Sequence, residues 1–113
     1  MLPGRLHPGR ALHIGASRFV CELDADAARD VKVYLRPEDV LARPISAGDN
    51  NVFEADIEKI EFLGSYCHVS VRSAQIGPQA LTVYLSLNYL AEQQLAVGSR
   101  LPLRVMPERM RFF

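Results

Sequence analysis

The chain has 113 residues, 49% of them hydrophobic and 23% charged, with 13 lysines and arginines against 13 aspartates and glutamates. That length makes one domain, 1–113, with a core that needs no staples, and the composition excludes a disordered chain. A formal net charge of zero counts against a general nucleic-acid binder, which needs a positive surplus to neutralise phosphates.

In chain order, the first expected elements are three short strands, Leu2 to Leu6, Ala11 to Ile14 and Arg18 to Leu23, separated by Pro8-Gly9 and Gly15-Ala16-Ser17 as turns. Asp24 to Asp30 is small and polar and reads as a loop. Val31, Val33 and Leu35 then alternate with Lys32, Tyr34 and Arg36, the period of a strand with one buried face. Pro37 removes a ladder donor and ends that strand. Glu38 and Asp39 suit the first turn of a short helix, where exposed N–H groups favour negative charge. Ala42 to Ser46 is a further short strand by pattern, and Ala47 to Asn51 is a turn by composition.

Val52 to Leu63 carries a flaw in its rhythm. Phe53, Ala55 and Ile57 share one parity, Ile60 and Phe62 the other, so a one-residue bulge near Glu58–Lys59 puts all five on one face. Gly64-Ser65 then breaks the strand, and Tyr66 to Arg72 returns as a hairpin partner with Cys67, Val69 and Val71 inward. After a loop over Ser73 to Pro78, Leu81, Val83 and Leu85 mark another strand, and Asn88 to Gln94 is the one helix candidate. Gly98 ends that connection, Leu101, Leu103 and Val105 make the last core strand, and Pro107-Glu108-Arg109 is a turn. Bent strands at short spacing with one short helix predict an all-β fold, a small OB-like antiparallel barrel. Residues 1–30 are expected to add strands to it.

Residues that carry chemistry are sparse. Cys21 and Cys67 lie outside any Cys-x-x-Cys spacing and read as reduced, buried thiols. His7, His13 and His68 lack the spacing of a metal site. Asp56, Glu58 and Glu61 read as the solvated face of a bulged strand, and no serine stands in a Gly-x-Ser-x-Gly context. There is no Gly-x-x-x-x-Gly-Lys-Ser/Thr, so no phosphate-cradling loop. No stretch reaches bilayer-crossing length, and Met1 to His13 holds no apolar run of the signal-peptide kind. The expected compartment is therefore the cytoplasm.

Four motifs in order carry a family resemblance: Leu35-Arg36-Pro37-Glu38-Asp39, Glu61-Phe62-Leu63-Gly64-Ser65, Gly98 and Pro107-Glu108-Arg109. Together they resemble the TOBE domain, the transport-associated OB-like barrel at the C-terminus of many ABC-importer ATPase subunits. The resemblance covers 31–113, and Leu2-Pro3-Gly4-Arg5 looks like the point where such subunits leave their ATPase domain. It implies a non-catalytic regulatory and dimerisation domain with no cofactor of its own, ATP and magnesium belonging to the ATPase domain. It also implies a homodimer, contact with that domain and with the importer's membrane subunits, and a place at the inner face of the membrane. Relatives of this kind serve polyamines, ferric iron, sugars and phosphonates, and the wording here leans toward 2-aminoethylphosphonate.

Arg36, Pro37, Glu38, Gly64, Pro107 and Glu108 are the motif residues expected to shape the barrel, with Glu38 and Glu108 capping turns and Arg36 and Arg109 pairing across it. Tyr89, Leu90, Met110, Phe112 and Phe113 form the expected dimer patch, being more apolar than connections and chain ends need to be. Two other classes stay open. One is an oxyanion- or small-ligand-binding barrel, with Gly64, Ser65 and Arg36, or Gly15-Ala16-Ser17, as amide nests; the Ser-Ala-Arg-Asn signature of a related molybdate-binding barrel is absent. The other is a nucleic-acid-binding OB module stacking bases on Tyr34, Tyr66 and Tyr84 beside Arg72, which the neutral charge disfavours. Because no phosphate loop exists, magnesium-ATP at millimolar concentration is expected to leave the melting temperature of the isolated chain unchanged; a specific, saturable rise would contradict this.

Overall fold

The computed structural model describes residues 2–42, 45 and 48–113. Ten strands and one short helix run in the order β1 Leu2–His7, β2 Ala11–Ile14, β3 Ser17–Val20, β4 Arg29–Tyr34, β5 Val40–Leu41, β6 Val52–Phe62, β7 Tyr66–Arg72, β8 Leu81–Ser86, α1 Leu87–Glu92, β9 Arg100–Val105 and β10 Arg111–Phe112. Two 3₁₀ turns, Pro37–Asp39 and Pro107–Arg109, join β4 to β5 and β9 to β10. Every strand pairing is antiparallel.

The strands form two five-stranded sheets, β10-β4-β1-β2-β3 and β5-β9-β6-β7-β8. In the second sheet β5 comes back against β8, so it nearly closes into the OB-like barrel. The N-terminal strands do not extend that barrel. They build the other sheet together with β4 and the C-terminal β10, and β4 lies between β1 and β10. A two-residue strand is observed at Val40–Leu41, and the expected Ala42 to Ser46 strand lies largely outside the described residues. The helix starts one residue earlier than expected, at Leu87, because the Ser86 hydroxyl accepts from the Tyr89 N–H at 3.0 Å and caps it.

The bulge is where the sequence rhythm put it. Ile57 pairs with Val71 and Lys59 with Ser70, so Glu58 is the extra residue. Beyond it Ile60 faces the same side as Ile57 and packs against the core. Phe62, paired with buried Cys67, keeps that facing but is 65% exposed, because it stands at the end of the strand beside the hairpin tip. The core passes through both sheets, with Leu6, Leu12, Phe19 and Val33 from one and Phe53, Ile57, Val69 and Leu103 from the other. Phe19 and Phe53 meet edge to face, with ring centroids 6.1 Å apart.

Two backbone-scale contacts seat one sheet on the other. Asn51 is buried at 5% exposure with φ +61°. Its Oδ1 accepts from the Val20 N–H at 2.7 Å, and its Nδ2 donates to the carbonyls of Val20 and Val105 at 2.8 and 3.0 Å. One amide side chain thus bridges the edge of β3 to β9. At the second contact, Gly15 presses against the Ser73–Gly77 loop, and the Ala16 N–H donates to the Gln75 carbonyl at 2.9 Å.

Gly15 has φ +58°, and a Cβ there would stand 2.5 Å from the Ile76 carbonyl oxygen. Gly64, at φ +99°, has open space where a Cβ would go, so a substitution there meets conformational strain alone. Gly15→Ala is expected to lower stability by about 2–4 kcal/mol through overlap and strain together. Gly64→Val should cost about 1–3 kcal/mol through strain. Urea midpoints measure both, and an unchanged midpoint for Gly15→Ala would show that the two sheets do not meet at this loop.

Candidate functional site

The Leu35–Asp39 motif makes a corner between the two sheets. Pro37 stops β4, and the chain turns through 3₁₀ geometry with the Asp39 N–H donating to the Arg36 carbonyl at 2.9 Å. Asp39 is 1% exposed. Its Oδ2 accepts from the Arg36 N–H at 2.8 Å and from the Arg111 guanidinium at 3.2 Å, while Oδ1 is buried without a partner. The capping role expected of Glu38 therefore belongs to Asp39, whose shorter side chain reaches back to the Arg36 amide. Glu38 and Glu108 are exposed. Arg36 and Arg109 are exposed as well, and the arginine that pairs across the fold is Arg111. It stands 72 positions away in sequence, so no local pattern announces it.

The residues expected to bind a ligand do not converge on one element. Arg36 sits at the β4 corner, whereas Gly64-Ser65 forms the two-residue tip of the β6–β7 hairpin. There the Leu63 N–H donates to the Tyr66 carbonyl at 3.0 Å, and positive φ at Gly64 follows the primed-turn pattern. The Ser65 carbonyl accepts from the Leu87 N–H at 3.0 Å, fastening the tip to α1. The other expected nest, Gly15-Ala16-Ser17, has its Ala16 amide taken by Gln75.

The expected dimer patch divides. Leu90 and Met110 are buried, at 5% and 7% exposure, because Leu90 plugs the barrel from α1 and Met110 packs under β10. Tyr89 and Phe112 pack partly on the core. Phe113 is 69% exposed, although its backbone N–H and carbonyl pair with Lys32 at 2.9 and 3.0 Å. A second apolar surface has no counterpart in the sequence reading. Phe62, Leu87, Ala91 and Leu95 rim a hollow of about 380 Å³ between the end of β6 and α1, with Ile60 and Leu90 at its floor. It escapes notice in sequence because its sides come from two elements that meet only through the hairpin tip.

On the outer barrel face, Tyr66, His68 and Tyr84 form a ring cluster. His68 stacks on Tyr84 with centroids 4.7 Å apart, and Tyr66 meets Tyr84 edge-on at 5.7 Å. The rings satisfy one another as cross-strand pairs do. Two carboxylates of β6 are engaged: Glu58 holds Arg72, which also donates to the Pro78 carbonyl, and Asp56 accepts from Arg100 at 3.0 Å. These hydrogen bonds push both guanidiniums above their ordinary pKa. Cys21 and Cys67 are free and buried. Burial pushes the Cys21 thiol up, against the smaller opposing pull of a backbone hydrogen bond from Leu23, as suits a buried structural thiol. Asp24 closes the β1–β2 turn: its Oδ1 accepts from the N–H groups of Ala25, Gly9 and Arg10, which holds its carboxyl below the usual range.

A family model described as the TOBE domain matches residues 33–113. Among curated proteins, the chain is 24% identical to the Fe(3+) ions import ATP-binding protein FbpC 2 of Rhizobium meliloti, over 98% of its own length. It is also 24% identical to the Sulfate/thiosulfate import ATP-binding protein CysA 2 of Chromobacterium violaceum, over 99% of its length. It spans 31% of each of these relatives. Among solved structures, the molybdate-bound, PEG-grown form of the cytoplasmic molybdate-binding protein ModG superposes with a TM-score of 0.74 at 13% identity, covering 98% of this chain and 92% of that one. At that identity the likeness is one of fold.

The buried corner gives a stability test. Arg111→Ala leaves the Asp39 carboxylate without its counter-charge and is expected to cost about 2 kcal/mol, less than a fully buried pair because the arginine is partly solvated. Asp39→Ala leaves the Arg36 amide unpaired and is expected to cost about 2–3 kcal/mol. Urea denaturation measures both. Their sum should exceed the cost of the double variant; strict additivity would mean that the two side chains act independently.

Proposed function

The chain belongs to the TOBE domain family, and from that membership we propose that it is the C-terminal regulatory and dimerisation domain of an ABC-importer ATP-binding subunit. The observation that carries this reading is the match of nearly the whole chain to about a third of two such subunits. The sequence has no phosphate-cradling loop, so ATP and magnesium bind in the ATPase domain of the parent subunit. Work at this domain is mechanical: two copies hold two ATPase domains together while those open and close. A ligand or protein on the barrel biases the cycle to the extent that it binds the two arrangements unequally. The membrane subunits of the importer are the further partners, at the cytoplasmic face.

The two relatives are named for different solutes, ferric ions and sulfate, at equal identity to this chain. That supports placing solute choice elsewhere in the importer. A second reading, an oxyanion-binding barrel, takes its support from the neighbour's bound molybdate and its near-complete superposition.

Dimerisation is the part of the reading most open to test. Among the exposed apolar residues, Phe113 at the chain end and the pair of Phe62 with Leu87 at the start of α1 are the two candidate patches for pairing, and a two-fold axis would bury one patch reciprocally. Sedimentation of the wild type is expected to give weak, concentration-dependent dimer. Phe113→Ser, which keeps the backbone pair with Lys32, and, separately, Phe62→Asp identify the patch: the one in use loses dimer while melting temperature holds. A wild type that stays monomeric at high concentration overturns the dimerisation role for the isolated domain.

A further inference from the structure

The outer face of β1, β2 and β3 carries a row of basic side chains that the family reading does not use. Arg5 pairs directly with His13, and His13 pairs directly with Arg18. Their inward neighbours Leu6, Leu12 and Phe19 fill the core, so all three of the row point outward, and all three are exposed. His7 joins from the next outward position on β1. Its direct partner is Ala11, whose small side chain lets the His7 ring lean across to His13, with ring centroids 4.4 Å apart. Four nitrogen-bearing side chains thus share one patch, although their sequence positions, 5, 7, 13 and 18, suggest no site.

The row places a guanidinium on each side of an imidazole, so hydrogen-bond donors stand side by side on one face. The charged groups around it are few. Asp30 on β4 pairs with Arg5 at 2.7 Å. Lys32 lies further along β4, Arg10 lies in the β1–β2 turn, and no described acidic side chain pairs with Arg18. With Asp30 committed to Arg5, the patch keeps the charge of Arg18.

We propose that Arg5, His7, His13 and Arg18 form a surface site for a doubly charged tetrahedral oxyanion of the sulfate or phosphate type. Guanidinium forks match such oxygens in geometry, and an imidazole donates from one nitrogen when neutral and from both when charged. A divalent metal is the rival occupant of a close histidine pair, but it would lie between two guanidiniums. The inference stands apart from the regulatory-domain reading and needs no dimer.

The test follows the ring signals of His7 and His13 by NMR in the full 113-residue chain. Melting temperature serves only as a fold control, because sulfate stabilises proteins non-specifically. Sulfate is expected to shift both rings saturably, whereas sodium chloride at matched ionic strength does not. His13→Gln and Arg18→Gln, both at exposed positions, should each weaken binding by about tenfold while melting in chloride stays unchanged. Inorganic phosphate and glycerol phosphate are compared at one pH: equal binding assigns the site to a free anion, and tighter ester binding assigns it to a phosphate carried on a larger molecule. Shifts that are linear, equal in chloride, or unaltered in both variants overturn the site. A saturable response to nickel ions tighter than that to sulfate overturns the anion assignment.

Discussion

Two twisted sheets from one short chain hold together only if their edges meet without stranding polar backbone, and Asn51 is where that requirement is met. Its amide accepts from the Val20 N–H and donates to the carbonyls of Val20 and Val105, while the Val105 N–H donates to its own carbonyl at 3.1 Å. A side chain thereby stands in for a strand at the seam, and a buried edge that would otherwise cost several unsatisfied groups is closed. The left-handed backbone at Asn51 is tolerated because asparagine enters that region more readily than most residues. With the seam fixed, Phe19 and Phe53 meet, and the core is continuous from one sheet to the other.

The second closure lies at the chain end. β10 has only two residues, too few to hold an edge by ladder hydrogen bonds alone. It is secured by Met110 beneath it, by the Phe113–Lys32 backbone pair beyond it, and by the Arg111 guanidinium on buried Asp39. Residues at 39 and 111 therefore share one electrostatic knot, and the strands that open the chain depend on those that close it. The orphan Asp39 Oδ1 marks this corner as a place where polar satisfaction is incomplete, which makes the Arg111 contact more important to it.

Charge is distributed differently on the two sheets. On the barrel, Glu58 and Asp56 of β6 face Arg72 on β7 and Arg100 on β9 and are paired with them. On the N-terminal sheet, the basic groups stand beside one another with one acid among them. A chain of zero net charge thus carries a locally uncompensated face, which composition averages away.

The sequence by itself determined most of the strands. Alternation in Val31–Leu35 marked β4 of one sheet, alternation in Tyr66–Arg72 and Leu81–Leu85 marked β7 and β8 of the other, and the parity break around Glu58 located the bulge, because period-two patterning is written residue by residue. The four spaced motifs identified the family for the same reason: Pro37, Gly64 and the Pro107 turn are local backbone demands. Tertiary structure alone decided what lies across space. Leu90 and Met110 looked like surface because apolar residues in a connection and a chain tail have no period that reveals which side is covered. Glu38 rather than Asp39 looked like the cap because only geometry selects the side chain that reaches back. The partnership of Arg111 with Asp39, the bridging by Asn51, the hollow beside α1 and the Arg5–His13–Arg18 row all depend on strand register and on the order of strands in the sheets. Those are set by long-range pairing, whose partners lie tens of residues apart and leave no mark in the local pattern.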